Sequence, residues 1–283
     1  MKILITGHTG FIGSHLSKYF YQKGNYVIGL SKSKSHNKFL EEEICIDLEN
    51  VSDEQINKFK IKSKVSKIDV LINSSFKLAT SENKASLDFF YQNIKITENI
   101  VKICKKIKPK KIINLSSIAV YPNLSDIFSE TSQTKMSQNS ECLYGLSKFC
   151  SENLLDFFLS ENSKILHLRL AQVIGRGMRN DRIYSIMVSE LKRSNKITVL
   201  GDGKRVSNFI KIEKLCNYIN KFVNSKNIKG VFNIGDRNLN YKELASEIIK
   251  EYGNQNSIIK IKKEGVQSEF ILDLNKLRNF LKR

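Results

Sequence analysis

The chain has 283 residues, with 47 Lys and Arg against 28 Asp and Glu, a formal net charge of +19, and 41% hydrophobic residues. That length and apolar content support a sizeable buried core and exclude a disordered chain, and no stretch approaches the ~18 to 20 uninterrupted apolar residues of a membrane span. The positive charge favours anionic ligands such as phosphates. The lysines, however, are spread along the chain without interleaved aromatic clusters, so a nucleic-acid partner is not indicated.

The five cysteines (Cys45, Cys104, Cys142, Cys150 and Cys216) form no CxxC pair, which argues against a disulfide framework and a zinc site and for a reducing compartment. Four scattered histidines supply no metal-ligand set, so no metal is expected. The apolar start "MKILIT" runs directly into "GHTG" and so lacks the features of a secretory signal. The expectation is a soluble, unprocessed cytoplasmic chain with no membrane partner.

Along the first half, short apolar runs alternate with helical patterns, the arrangement of βαβ units around a parallel sheet. Strands are predicted at 2–6, 26–30, 43–46, 68–73, 111–116 and 165–170, and helices at 12–23, 83–107 and 141–160. After about residue 175 the alternation loosens into shorter pieces, including a helix near 181–194 and a strand near 197–200. The predicted fold is α/β: a Rossmann-like doubly wound parallel sheet in a dinucleotide-binding domain over residues 1–175. A smaller C-terminal substrate-binding lobe over 176–283 completes it, with some chain crossing between the two.

"ITGHTGFIGSHL" sets Gly7, Gly10 and Gly13 at G-x-x-G-x-x-G spacing, after the first strand and at the start of a helix. Glycine permits the tight turn and close approach to a pyrophosphate, and the helix N-terminus, through Phe11, Ile12 and Gly13, presents free N–H groups. An acid ~20 residues further on would hold the ribose 2′-hydroxyl of NAD. Here the second strand ends in "GLSKSKSH", so Ser31, Lys32 and Lys34 offer a hydroxyl and two cations suited to a 2′-phosphate. This favours NADP, with NAD the alternative. Asp47 at the end of the third strand suits the adenine amino group.

"LYGLSKF" places Tyr144 and Lys148 four residues apart on a predicted helix, hence on one face. A tyrosine ordinarily titrates near about 10, and an adjacent ammonium favours the phenolate, so the pair reads as acid/base chemistry.

Together, "TGHTGFIG", "DL" at 47–48, "NIKITENI", "NLSSIAVYP", "YGLSK", "LRLAQVIGRG" and "VLGDGKRVSNFIKIEKL" resemble the extended short-chain dehydrogenase/reductase family, whose members mostly act on nucleotide-sugars. The resemblance gives Tyr144 the proton on the substrate oxygen, Lys148 the nicotinamide ribose, and Ser117, four residues before the Tyr of "VYP", the polarising hydroxyl. It also places Leu48 with Asp47, and Asn73, Ser74 and Ser75 beside the cofactor. Asn93 steadies the active-site strands in this reading. Gln172, Arg182, Val199 and Arg205 fall on the substrate side, with Arg205 placed to grip a diphosphate through two guanidinium N–H groups.

Relatives that dehydrate carry an Asp-Glu pair after the hydroxyl residue, whereas this chain has Ile118 and Ala119. The expectation is therefore NADPH-dependent reduction of a nucleotide-linked keto-sugar, with epimerisation as the alternative. A non-catalytic NADP-binding regulator is the reading from another class. By the same resemblance, helices 83–107 and 141–160 would form a homodimer surface.

Overall fold

A computed structural model describes residues 1–58 and 67–282. In chain order, β1 (Lys2–Thr6), α1 (Phe11–Gln22), β2 (Tyr26–Ser31), β3 (Glu42–Cys45), α2 (Asp53–Lys58), β4 (Val70–Asn73), α3 (Leu87–Ile107) and β5 (Lys111–Ser117) make up the first stretch. Then follow β6 (Asp126–Phe128), α4 (Cys142–Leu159), β7 (Lys164–Leu170), β8 (Gln172–Ile174), α5 (Ile183–Ser194), β9 (Lys196–Val199) and β10 (Val206–Lys211). The remainder is α6 (Ile212–Asn224), β11 (Gly230–Ile234), β12 (Arg237–Asn240), α7 (Tyr241–Tyr252), β13 (Ile258–Ile261), β14 (Phe270–Leu272) and α8 (Asn275–Leu281).

The central sheet has seven strands in the order β11-β7-β5-β4-β1-β2-β3, with parallel pairing across every neighbour from β7 to β3. β1 and β4 are buried along their whole length, because strands covered by helices on both faces keep apolar side chains on both sides. The order reverses between β1 and β4, and the crevice outside the carboxyl ends at such a point is where this architecture binds ligands.

α3 starts at Ser86, whose side chain accepts from Phe89 N, and ends at Lys108 in the left-handed conformation. Its buried side, including Ile96, Ile100 and Cys104, joins Leu4, Leu71, Ile112 and Leu155 in one core cluster. No helix among the described residues is long and apolar enough to cross a membrane.

The chain divides into two compact units. The first comprises Met1–Pro122, Thr134–Leu170 and Cys216–Phe232; the second comprises Asn123–Gln133, Ala171–Leu215 and Asn233–Arg283. The sequence places the division near 175/176, with some chain crossing; the structure breaks at 170/171 and exchanges two segments. Both exchanges rest on long-range pairing. β11 joins the edge of the large sheet beside β7, and β6 pairs with β14 in the second unit. The second unit has its own core, in which Met187, Leu191, Val199, Phe209 and Leu244 pack together.

Candidate active site

The first unit builds a cradle at the end of β1. Gly7 sits at φ +68°, and a Cβ there would lie 2.9 Å from Ser74 O; a Cβ on Gly13 would lie 2.2 Å from Gly7 O. Only glycine keeps this turn closed. Gly7 N donates to Leu30 O at 2.7 Å and Gly10 N to Gly7 O at 3.0 Å, and the first helical bond of α1 runs from Ser14 N to Gly10 O. No side chain caps the helix and no acid lies in its first turn. The N–H groups of Phe11, Ile12 and Gly13 therefore face the crevice with the positive end of the helix dipole, a fit for a pyrophosphate.

His8 fills the space beneath this turn. It is fully buried, and a Cβ on Gly29 would lie 2.6 Å from its ring. Its Nε2 meets Ser31 Oγ at 2.8 Å while that hydroxyl donates to Ser33 O at 2.7 Å, which assigns the Nε2 proton to the histidine. Burial lowers the His8 pKa, opposed by Glu43. The Ser31 hydroxyl is thus committed within the protein.

Lys32 is committed as well, its Nζ lying 2.8 Å from Asp47 Oδ2. Burial works against charge on Asp47, but Lys32 and the donors Asn50 Nδ2 and Glu49 N hold its carboxyl below the usual range. Lys34 is exposed. Leu48 is buried, and its carbonyl accepts from Asn99 Nδ2 at 2.8 Å.

Below the carboxyl ends of the strands runs a row of polar side chains. Thr6 Oγ1 donates to Asn73 Oδ1 at 2.9 Å, and Asn73 Nδ2 donates to Asn114 Oδ1 at 2.8 Å. Asn114 Nδ2 meets His167 Nδ1 at 3.3 Å, and His167 Nε2 meets Asp156 Oδ1 at 3.0 Å. The four strand residues are register partners of one another. The Asn73 side chain is thereby used up, leaving its backbone to line the crevice. Ser74 Oγ donates to Thr6 O at 2.5 Å, and Ser75 N donates to Asn73 Oδ1 at 3.3 Å. Asn93 is fully buried and clamps Lys77, accepting from its N at 2.8 Å and donating to its O at 3.2 Å. Its contribution is to fix the loop after β4.

At the end of β5 two adjacent serines take different roles. Ser116 is buried and donates to Glu152 Oε1 at 2.5 Å. Ser117 is half-buried; its Oγ accepts from Ala119 N at 3.1 Å and caps the 3-10 turn Ile118–Val120. Because the oxygen accepts, the proton of Ser117 is left to donate, as a group polarising a substrate oxygen requires.

α4 presents Tyr144 beside this turn. The Tyr144 ring packs in a small cluster with Ala79, Phe89 and Ala119, flanked by Phe76. Gly145 makes the approach possible, since a Cβ there would lie 2.1 Å from Ala119 O. Lys148, on the same helix face, donates to Leu115 O at 2.6 Å and lies 3.7 Å from the centre of the Phe76 ring and 5.6 Å from that of Tyr144. Burial pushes its ammonium down to about 7, with Glu152 opposing the shift. The cradle and the pair are linked: Gly7 abuts Ser74, and Phe76 two residues on abuts Lys148.

Four candidates lie in the second unit. Gln172 Nε2 donates to Ser207 Oγ at 2.9 Å. The Arg205 guanidinium lies 5.3 Å from the centre of the Tyr241 ring, a contact that orients its planar fork. Arg182 is half-buried and precedes α5. Val199 is 1% exposed within the core of this unit, and its carbonyl accepts from Lys262 N.

A model of the "NAD dependent epimerase/dehydratase family" matches residues 3–235. The chain belongs to this family. Among its curated relatives, the dTDP-D-glucose 4,6-dehydratase of Dictyostelium discoideum is 27% identical over 277 residues, covering 88% of this chain and 61% of that protein. UDP-glucuronate 4-epimerase 4 of Arabidopsis thaliana is 26% identical over 214 residues, 70% of this chain and 48% of that one. The chain therefore spans about half to three fifths of these two relatives' length.

Among solved structures, MoeE5 in complex with UDP-glucose and NAD superposes with a TM-score of 0.81 at 20% identity, covering all of this chain and 92% of that one. The UDP-glucuronic acid 4-epimerase from Bacillus cereus, in complex with UDP-glucuronic acid and NAD, gives 0.79 at 24% identity, covering all of this chain and 93% of that one. These establish a shared fold, and both of those solved structures are complexes with NAD.

Several residues of the site escaped the sequence reading. Glu152 continues the four-residue spacing of Tyr144 and Lys148, a signal that was available. His8, Phe76 and Asn114 gave none, because their roles depend on strands far away in sequence.

Proposed function

We propose that this chain is an NAD(P)-dependent enzyme that transfers hydride at a carbinol or carbonyl carbon of a nucleotide-linked sugar, and that it acts as an epimerase. The observation that supports the reading is that Lys148 lies beside Tyr144 on α4, and that Tyr144 packs against Ala119, two residues after Ser117, in the same unit as the glycine cradle. Epimerisation is favoured over the reduction expected from sequence because relatives and structural neighbours include epimerases and NAD complexes, and because Ser31 and Lys32 already have partners. Dehydration fits less well, since Ile118 and Ala119 follow Ser117 where an acid pair would be needed.

In this reading the amides of Phe11, Ile12 and Gly13 hold the pyrophosphate, Asp47 and Leu48 border the adenine, and Lys148 reaches the nicotinamide ribose. The nicotinamide, when bound, supplies the hydride acceptor and donor. Ser117 donates a hydrogen bond to the substrate oxygen. Tyr144 takes the proton from the hydroxyl as the sugar is oxidised and returns it as the ketone is reduced. Lys148, charged, favours the phenolate form that Tyr144 holds before it takes the proton and regains after it returns it. In the second unit Arg205 and Gln172 are the substrate candidates that the resemblance implies, and α3 and α4 form a homodimer surface on which Leu87, Tyr91 and Phe157 are exposed.

The test is proton NMR of UDP-, dTDP- and GDP-linked sugars incubated with the protein and NAD+ or NADP+. A new epimer without net change in cofactor absorbance is expected, and Tyr144→Phe should reduce turnover by ~10²-fold or more while cofactor binding persists. Full turnover in Tyr144→Phe refutes the assignment. A second reading, NADPH-dependent reduction, is favoured by Ser31 standing where an acid would select NAD. Stoichiometric NADPH consumption with a keto-sugar would establish it in place of epimerisation.

A further inference from the structure

Tyr144, Lys148 and Glu152 stand at i, i+4 and i+8 on α4, and so share one face of that helix. The first two have roles in the proposed reaction; the third is a buried carboxylate. Its side chain is 5% exposed, as is that of Arg169 on β7. Glu152 Oε1 accepts from Ser116 Oγ at 2.5 Å and Arg169 Nε at 3.1 Å, and Oε2 accepts from Arg169 Nη2 at 2.8 Å. Arg169 Nη1 donates on to the Tyr121 hydroxyl at 2.9 Å. One carboxylate thus binds three segments: α4, the end of β5 beside Ser117, and β7.

Lys148 is 4% exposed. A buried ammonium is disfavoured unless charge or hydrogen bonds offset its lost hydration. Among the described residues its partners are a carbonyl, Leu115 O, and the ring faces of Phe76 and Tyr144; no carboxylate pairs with it directly. Glu152, one turn away, is the charge whose attraction opposes the effect of burial.

The other charged groups around α4 are occupied elsewhere. Asp156, one turn further on, is paired with His167; Lys77 beside Phe76 is paired with Glu49; and Lys105 of α3 lies over the Phe158 ring.

We propose that Glu152 is a positioning residue of this site: its carboxylate, one turn beyond Lys148, offsets part of the cost of burying that ammonium and ties α4 to β5 at Ser116, next to Ser117. The proposal rests on the reading of Tyr144 and Lys148 as the proton-transfer pair, and it explains why an ion pair is buried here at all. A buried pair seldom adds stability over well-packed apolar residues, so its retention points to what it does for its neighbours.

The experiment titrates Lys148 in the cofactor-free protein by 13C NMR of lysine Cε, with Lys148→Met identifying the resonance. Glu152→Gln keeps an acceptor for Ser116 and Arg169 but removes the charge, and the Lys148 midpoint should fall by at least about one pH unit, a tenfold change in proton affinity. Glu152→Asp, which keeps the charge, should restore most of that shift, and Asp156→Asn should leave the midpoint in place.

If Glu152→Gln does not fold, the double change E152Q/R169Q removes the Arg169 charge that would be left unpaired, and its midpoint should lie below that of Arg169→Gln alone. An unchanged midpoint in Glu152→Gln, or equal midpoints in the double variant and Arg169→Gln, overturns the proposal, as does an equal fall in Asp156→Asn. A purely structural role would affect stability without this selective response. Because the titration needs no turnover, its outcome is independent of whether Tyr144→Phe abolishes activity.

Discussion

Replacing Gly145 by alanine tests how α4 meets the turn after Ser117. In an open helix interior, alanine is favoured over glycine by ~1 kcal/mol, so the change would ordinarily stabilise. Here the new methyl carbon would lie 2.1 Å from Ala119 O and 2.8 Å from Ala119 C. Both are backbone atoms, and an unstrained carbon–oxygen contact needs ~3.5 Å, so helix and turn must part by about 1 Å. Overpacking of this kind costs ~1–3 kcal/mol, which exceeds the propensity gain, and a ~1 Å misplacement of reacting groups costs ~10²-fold in rate.

Gly145→Ala should therefore unfold at lower urea concentration by far-UV circular dichroism. It should also turn over nucleotide-sugar about a hundredfold more slowly, and bind cofactor through the separate glycine cradle almost as before. An alanine variant that is as stable as the parent and fully active would refute the idea that this glycine sets the approach of α4 to the turn after Ser117.

Three further outcomes are expected. Burial holds Lys148 at about 7 in the folded chain against its ordinary 10.5, so the unfolded state binds more protons between those values and stability rises with pH across that window. Lys148→Met should be more stable than the parent at pH 6 by up to about 5 kcal/mol, an upper figure from 1.36 kcal/mol per unit. That advantage should shrink as pH approaches 10 in urea titrations; an advantage that does not vary with pH would contradict the shift.

Ser117→Ala should lower kcat by ~10- to 10³-fold through loss of a donor, whereas Ser116→Ala should mainly reduce stability, by ~1 kcal/mol; the opposite pattern would exchange the two roles. If α3 and α4 form the proposed homodimer surface, Phe157, 81% exposed on α4, should on replacement by Glu lower the mass by light scattering from dimer to monomer; a parent that is already a monomer, or an unchanged dimer mass, would refute that surface.

Much of the first unit was legible because its signals are local. The run "KILIT" followed by Gly7, Gly10 and Gly13 fixes a strand, a turn and a helix within twenty residues, and Tyr144 and Lys148 need only helical spacing to share a face. What was not legible depends on partners distant in sequence. Lys32 reads as a free cation until β3 brings Asp47 to 2.8 Å of it. The burial of Val199, a substrate-side candidate by resemblance, comes from the pairing of β9 with β13. The exchange of 123–133 and 216–232 between units likewise follows from β6–β14 pairing and from β11 joining β7, and neither pairing has a local signature.

The polar row from Thr6 to Asp156 bears on how the sheet finds its alignment. Parallel strands buried on both sides are made of interchangeable Ile, Leu and Val, and a slide of one residue exchanges one oily face for another at little cost. A slide past Asn73 or Asn114 would instead strand amides in hydrocarbon with no donor or acceptor opposite, and each such orphan costs about 1–3 kcal/mol. Every group in the row also points its hydrogen the same way, so one misplaced member leaves an unmatched neighbour on each side. The row acts as a lock on strand registry, and turning all four strand residues into aliphatics would yield a sheet free to settle in more than one alignment.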